Sequence, residues 1–312
     1  MQMHRDAVRK KARQLGGMTK AVGKWALQRP EMMRVTWKAC MVPALTFAQE
    51  VLCLGPELEQ ELDRVQREIG IRAMGGNRLV AQEGLTGEFA CAPFGVREMR
   101  AKMAFVGRLR YMDGDRWARK VYKYVGSHGL RTMWEERVKR IERWKGVEWR
   151  GLQDETVGQW TQREKKEVEW RFENEWRWRM TQKTSLIAYR TREQMTWDNI
   201  YDGSYGSDLL FRARTGCLET GRRMRWQEGA SQECRLCGAV MEDVPHVILY
   251  CPALDGIRAQ VGWPGSGAEH TEGEISEIRK RLGIGREVEP NRAWIKLAER
   301  VLVSWRKLGG GR

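Results

Sequence analysis

Cys234, Cys237, His246 and Cys251 are the residues whose types and spacing carry the plainest chemistry in this sequence. They form the pattern C-x2-C-x8-H-x4-C. A CxxC turn presents two thiolates to one ion, and a tetrahedral zinc wants four such soft or borderline ligands. Gly238 follows the second cysteine and lets the backbone fold over the metal. His246 and Cys251 close the site from a short helix, with Val247, Ile248 and Leu249 packed beneath and Pro252 as its stop. Four protein ligands leave no open position, so one structural Zn2+ is expected, contributing to folding and not to hydrolysis. The other reading of a CxxC is redox chemistry. It needs a strand–CxxC–helix context that the flanking residues do not suggest.

No other constellation offers chemistry of this kind. Asp113 and Asp115 flank Gly114 and read as a solvated turn. His4, His128 and His270 have no nearby cysteine or clear acid partner. The glycine pairs at 16–17 and 75–76 lack the phosphate-loop pattern, and there is no serine elbow. The chain is therefore expected to have no catalytic centre of its own.

The formal net charge is +15 over 312 residues, and its distribution is uneven. Residues 1–50 carry a net +7 and residues 101–150 a net +8, while 151–250 is close to neutral. Patches of this kind suit a polyanion, and nucleic acid is the expected partner. The first patch, Arg9, Lys10, Lys11 and Arg13 followed by Lys20 and Lys24, lies along a predicted N-terminal helix. The second contains Arg108, Arg110, Arg116, Arg119, Lys120 and Lys123. There Trp117 and Tyr122 can stack on unpaired bases, although the tryptophans as a class read first as core. A third set, Arg212, Arg214, Arg222, Arg223, Arg225 and Arg235, surrounds the cysteine cluster. No apolar run approaches membrane-spanning length, and the charged start, Met1 to Lys11, has no apolar signal region. With seven cysteines, an odd number, an intracellular location (nucleus or cytoplasm) with reduced thiols is expected, without secretion or a membrane partner.

The elements that must position these residues read as helices. Pro56 suits a first helical position, Glu57, Glu59 and Glu61 follow it, and Leu58, Leu62, Val65 and Ile69 make one stripe ending at Gly75-Gly76. Met33 to Leu54 predicts an earlier helix bent or broken at Pro43, and Val96 to Tyr111 a later one after a looser stretch around Gly84 to Gly95. Residues 116–200 predict long helices rich in tryptophan, from Trp117 to Trp197 and including Trp149. A loop at 202–207 leads into a short helix with Leu209, Leu210 and Phe211. A Gly/Pro-rich linker is expected from Gly262 to Gly267. A last helix carries Trp294, Leu297, Val301 and Trp305, before a disordered tail at 309–312.

Around the cysteines the wider segment is informative. Phe211 to Gly216 reads Phe-Arg-Ala-Arg-Thr-Gly, then come Arg222 and Arg223, the CxxC, Glu242 and Asp243 before His246, and Cys251 to Leu254. This order resembles the C-terminal zinc-knuckle region of non-LTR (LINE-type) retrotransposon reverse transcriptases. Upstream, Met41 to Val51, with Pro43, Leu45, Thr46 and Glu50, is similar to the segment that family carries just after its palm. Leu62 to Arg67, Arg72 to Gly75, and Gly87-Glu88 continue in the family's order. The likeness covers roughly residues 1–110 and 205–255 and implies a thumb, a helical linker and a knuckle. It departs from the family where catalysis would lie. There is no Asp-Asp pair for two metal ions, the fingers and palm would precede Met1, and the 61 residues after Cys251 leave little room for an endonuclease.

The resulting expectation is a mainly α protein with four regions: a thumb-like helical bundle at 1–112, a Trp-rich basic linker at 113–204, a zinc-knuckle module at 205–262, and a C-terminal linker and helix at 263–312. Its expected function is to bind RNA or an RNA–DNA hybrid, as part of a retrotransposon-type reverse transcriptase without polymerase chemistry. Arg9, Lys10, Lys11, Arg13, Arg116, Arg119, Lys120, Arg212, Arg214, Arg222, Arg223 and Arg235 are the expected contacts. The alternatives are a zinc-stapled scaffold for a protein partner or an inert remnant of an element.

Overall fold

The computed structural model describes residues 2–25, 29–146, 155–260, 262, 273–285 and 291–309, with the side chains at 2, 20 and 22–25 left aside. The side chains of Lys20 and Lys24, Trp149, His270, most of the expected linker beyond Gly262, and residues 310–312 of the tail lie outside the described residues. The chain is mainly helical, and no strand occurs among the described residues. The order is α1 (Gln2–Trp25), α2 (Arg29–Thr36), α3 (Val42–Leu45), α4 (Pro56–Ala73), α5 (Gln82–Phe89), α6 (Phe94–Tyr111), α7 (Trp117–Ser127), α8 (Met133–Lys145), α9 (Val157–Thr181), α10 (Tyr205–Arg214), α11 (Gly221–Met224), α12 (Asp255–Gln260), α13 (Glu274–Leu282) and α14 (Arg292–Leu308).

The chain folds as two compact units, each assembled from three separated segments. One comprises Met1–Gly17, Lys38–Gln66 and Ala92–Glu175, and the other Met18–Trp37, Arg67–Cys91 and Trp176–Arg312. The expected boundaries at 112, 204 and 262 do not coincide with these units.

In the first unit the core lies among α6, α8 and α9, from Val96, Met103, Val106, Val138, Ile141, Trp160 and Val168. Trp160 is fully buried, and its indole N–H donates to the Met103 carbonyl at 3.2 Å. Gly107 permits this approach, because a Cβ there would stand 2.1 Å from the Trp160 ring. α4 begins at Pro56, and Leu58 and Leu62 are buried as the stripe predicts. The segment after α3 departs from expectation. It leaves the helix at Thr46 and turns with Ala48 at φ 57°, so the helix predicted to reach Leu54 ends at Leu45. Polar groups hold this turn in place. The buried Lys102 ammonium donates to the carbonyls of Gln49 and Leu52, each at 3.1 Å, and the Trp134 indole donates to that of Glu50 at 2.8 Å.

In the second unit α14 packs against α10, α12 and α13. Ile295, Ala298, Val301, Leu302 and Trp305 form its buried face, at helical spacing. The looser stretch predicted around Gly84 contains a helix, α5, all of whose residues from Gly84 to Phe89 are buried. Its glycines mark close packing and not a break: a Cβ at Gly87 would fall 2.4 Å from the Tyr189 hydroxyl. α13, absent from the sequence-based expectation, buries Ile278 and Leu282.

A candidate metal centre and the placement of the basic residues

The cysteine cluster is built in the second unit by two short segments. The CxxC sits in a tight turn closed by Gly238 N–H to Cys234 O at 2.8 Å and Cys234 N–H to Ala239 O at 2.7 Å. Gly238 takes φ 73°, a left-handed conformation that favours glycine, as expected from its position. The second pair comes from a π-helical turn, His246–Tyr250, whose Val247, Ile248 and Leu249 are buried beneath the site. The Asp243 carboxylate accepts the His246 backbone N–H at 3.0 Å and starts that turn.

One ligand atom from each of Cys234, Cys237, His246 and Cys251 lies within 4.8 Å of all the others. The Cys234 and Cys251 sulfurs are 3.8 Å apart, and the Cys237 sulfur is 3.3 Å from His246 Nε2. The four residues could hold one metal ion. Burial and the neighbouring thiols push the Cys251 thiol up to about 12, and burial also raises Cys234. Thiolates so placed need a cation to offset them, and a bound metal supplies that charge.

Two buried charges brace the site from outside. Glu242, fully buried, accepts the Gly221 N–H at 3.0 Å, the Arg235 N–H at 3.2 Å and the Arg235 guanidinium at 2.8 Å. Burial alone would raise this carboxyl, but the Arg235 and Gly221 hydrogen bonds outweigh it and hold the group below its ordinary value. Gly221 fits closely here, since a Cβ would lie 2.8 Å from Ser231 O. On the other side the fully buried Arg258 donates to the carbonyls of Cys251 and Val247 and to Asp255 at 2.7 Å. Nothing in the metal-binding pattern pointed to Glu242 as a brace or to Arg258. A single Arg in a hydrophilic segment gives no signal of burial.

The basic residues expected to meet nucleic acid separate into two groups. In the first unit Lys10, Lys11, Arg13, Arg116 and Lys120 are exposed. Arg9 is paired with Glu61 at 3.0 Å, and the Arg119 guanidinium donates to the Leu109 carbonyl. In the second unit Arg222 is half exposed and bridges to Asp243 at 2.9 Å. Arg235 serves Glu242 and lies over the Trp305 ring at 5.0 Å. Arg212 donates to Gly75 O at 2.8 Å and bridges to Glu219, and Arg223 donates to Leu79 O at 2.9 Å.

Arg214 corrects the expectation outright. It is fully buried, bridges to Glu88 at 2.8 Å and Asp198 at 3.1 Å, and donates to the carbonyls of Leu282 and Gly283. Glu88 also accepts the Tyr201 hydroxyl at 2.6 Å and bridges to Arg192 at 3.5 Å. Arg214 is thus the centre of an internal ionic network, and its charge does not reach the surface. Tyr122, expected to stack on bases, instead packs edge-on to Trp134 and accepts from Arg110 at 3.2 Å.

Compared with protein-family models, with curated proteins and with solved structures, the chain shows no match. No described helix is long and apolar enough to cross a membrane.

Proposed function

We propose that the chain is a zinc-stapled, nucleic-acid-binding module, corresponding to the region that follows the palm in LINE-type reverse transcriptases. The closed four-ligand cluster carries this reading. Thiolates 2.3 Å from one tetrahedral zinc stand about 3.8 Å apart, and a thiolate and an imidazole about 3.6 Å. The sulfur–sulfur distance of 3.8 Å and sulfur–nitrogen distance of 3.3 Å suit that ion. Three thiolates and one imidazole favour zinc over calcium or magnesium, which take oxygen ligands. With every ligand supplied by protein, the metal orders the knuckle and does not act on substrate.

The partner is argued from charge. The +15 net charge and the exposed Lys10, Lys11, Arg13, Arg116, Lys120 and Arg222 provide phosphate contacts that need not read sequence. The reading as part of a reverse transcriptase rests on the motif order from Met41 to Leu254 alone. A second reading, a scaffold for a protein partner, draws support from Trp117, Trp170, Trp178 and Trp226, each more than half exposed.

The two readings separate in a binding assay. The zinc-loaded chain is titrated with labelled single-stranded RNA across a salt series, beside a Cys237→Ser, His246→Ala double variant. The proposed function predicts affinity that falls steeply with salt and falls further in the variant. A folded, zinc-loaded chain that fails to bind at low salt overturns it and leaves the scaffold.

A further inference from the structure

Helix α7 has no buried residue, yet one face of it carries an exposed stripe of three rings and a valine. Trp117 is 80% exposed, Val121 56% and Tyr124 56%, and His128 follows at the helix end. At 3.6 residues per turn these four positions fall within an arc of about 60°. The opposite side of α7 docks within its own unit, through Arg119 to the Leu109 carbonyl and Tyr122 against Trp134. The stripe therefore faces away from the contacts that fix the helix.

Beside the stripe stands a second arc of about 60°, made of Arg116, Lys120 and Lys123. Arg116 and Lys123 meet no carboxylate within ion-pair distance among the described residues, and Lys120 has only the exposed Asp115, at 3.9 Å. The rings are already arranged as π surfaces. The His128 imidazole stacks on Tyr124 with centroids 3.9 Å apart and is held by Ser127 Oγ at 3.0 Å. The Lys120 ammonium stands 5.7 Å from the Trp117 ring centroid.

The geometry points to α7 as a platform for a single strand of nucleic acid, its unpaired bases stacked on Trp117 and Tyr124 and its phosphates along Arg116, Lys120 and Lys123. This rests on the nucleic-acid reading above and deepens it, by naming the unpaired strand as ligand and the first unit as the place of contact. Charge complementarity selects the occupant. A row of cations with few answering carboxylates calls for an anionic ligand, and paired π faces beside it call for flat bases. A duplex keeps its bases stacked inside and can use the cations alone.

The test uses the full zinc-loaded chain and three probes: a fluorescein-labelled 20-mer of oligouridine, a hairpin duplex RNA of equal charge, and vesicles of phosphatidylcholine with phosphatidylserine. Replacing Trp117→Leu and Tyr124→Leu keeps apolar surface but removes the π faces. Both positions are exposed, and circular dichroism confirms that the fold is intact. The expected result is loss of single-strand affinity by about tenfold or more for each ring removed, with duplex affinity unchanged. Trp117→Phe with Tyr124→Phe restores most of the binding. Single-strand affinity unchanged in the leucine variant overturns the platform while leaving the charge-based reading in place. Vesicle binding that depends on Trp117, with RNA binding indifferent to it, assigns the stripe to a membrane surface and also overturns it. If the wild-type chain binds neither RNA, the broader reading and the platform fall together.

Discussion

The Trp305 indole N–H donates to the Glu242 carboxylate at 3.3 Å, with both side chains fully buried. The contact ties the turn between the two ligand pairs to the C-terminal helix α14. Glu242 also receives the Gly221 N–H and the Arg235 guanidinium, so one carboxylate joins three separate stretches of the second unit.

Glu242→Ala leaves these donors buried without an acceptor, and a cost of about 2–4 kcal/mol is expected from loss of charged hydrogen bonds. Thermal unfolding of the zinc-loaded variant measures it. The pH dependence has a definite sign. The folded carboxyl lies below its unfolded value, so its contribution is present above that value and lost as pH falls through the folded one. Acid unfolding of wild type is expected to include this loss, and the variant to lack it.

Asp63 behaves in the opposite sense. Burial pushes its carboxyl up to about 6, although it accepts the Phe94 N–H at 2.8 Å. A group raised in the fold contributes fully below its unfolded value, about 3.9, and that contribution fades as pH rises through 6. Asp63→Asn keeps the acceptor and removes the charge. The variant is expected to gain on the order of 2 kcal/mol relative to wild type at pH 7.5, and almost nothing at pH 4. Denaturant titrations at the two pH values compare them.

Arg214→Met leaves Glu88 in the interior with fewer partners. A loss of about 3–5 kcal/mol is expected, seen as a fall in the denaturation midpoint. Lys11→Gln with Arg222→Gln, both at exposed positions, is expected to leave the midpoint unchanged and to flatten the salt dependence of RNA binding.

The grouping of Cys234, Cys237, His246 and Cys251 was legible because ligand chemistry constrains residue type and spacing together. The amphipathic helices α4, α6 and α14 were legible for a similar reason, since burial leaves a periodic stripe. The placement of Arg214, Arg258 and Glu242 was not. A buried charge is stabilised by partners distant in the chain, as Arg214 is by Glu88, and composition treats it as surface. α5 was hidden by Gly84 and Gly87, which read as breakers until the side chains packed over them are seen. Trp305 is core, as its place on the stripe of α14 implies, and Trp160 is core too, while Trp117, the first residue of α7, is exposed.

Native mass spectrometry of the full chain, with X-ray absorption at the zinc edge, tests the central claim most directly. The account predicts one zinc per chain in a coordination sphere of three sulfurs and one nitrogen, with no water ligand, and loss of the ion in Cys237→Ser. A chain that folds to the same helix content without metal, or a zinc bound through oxygen ligands, would contradict it.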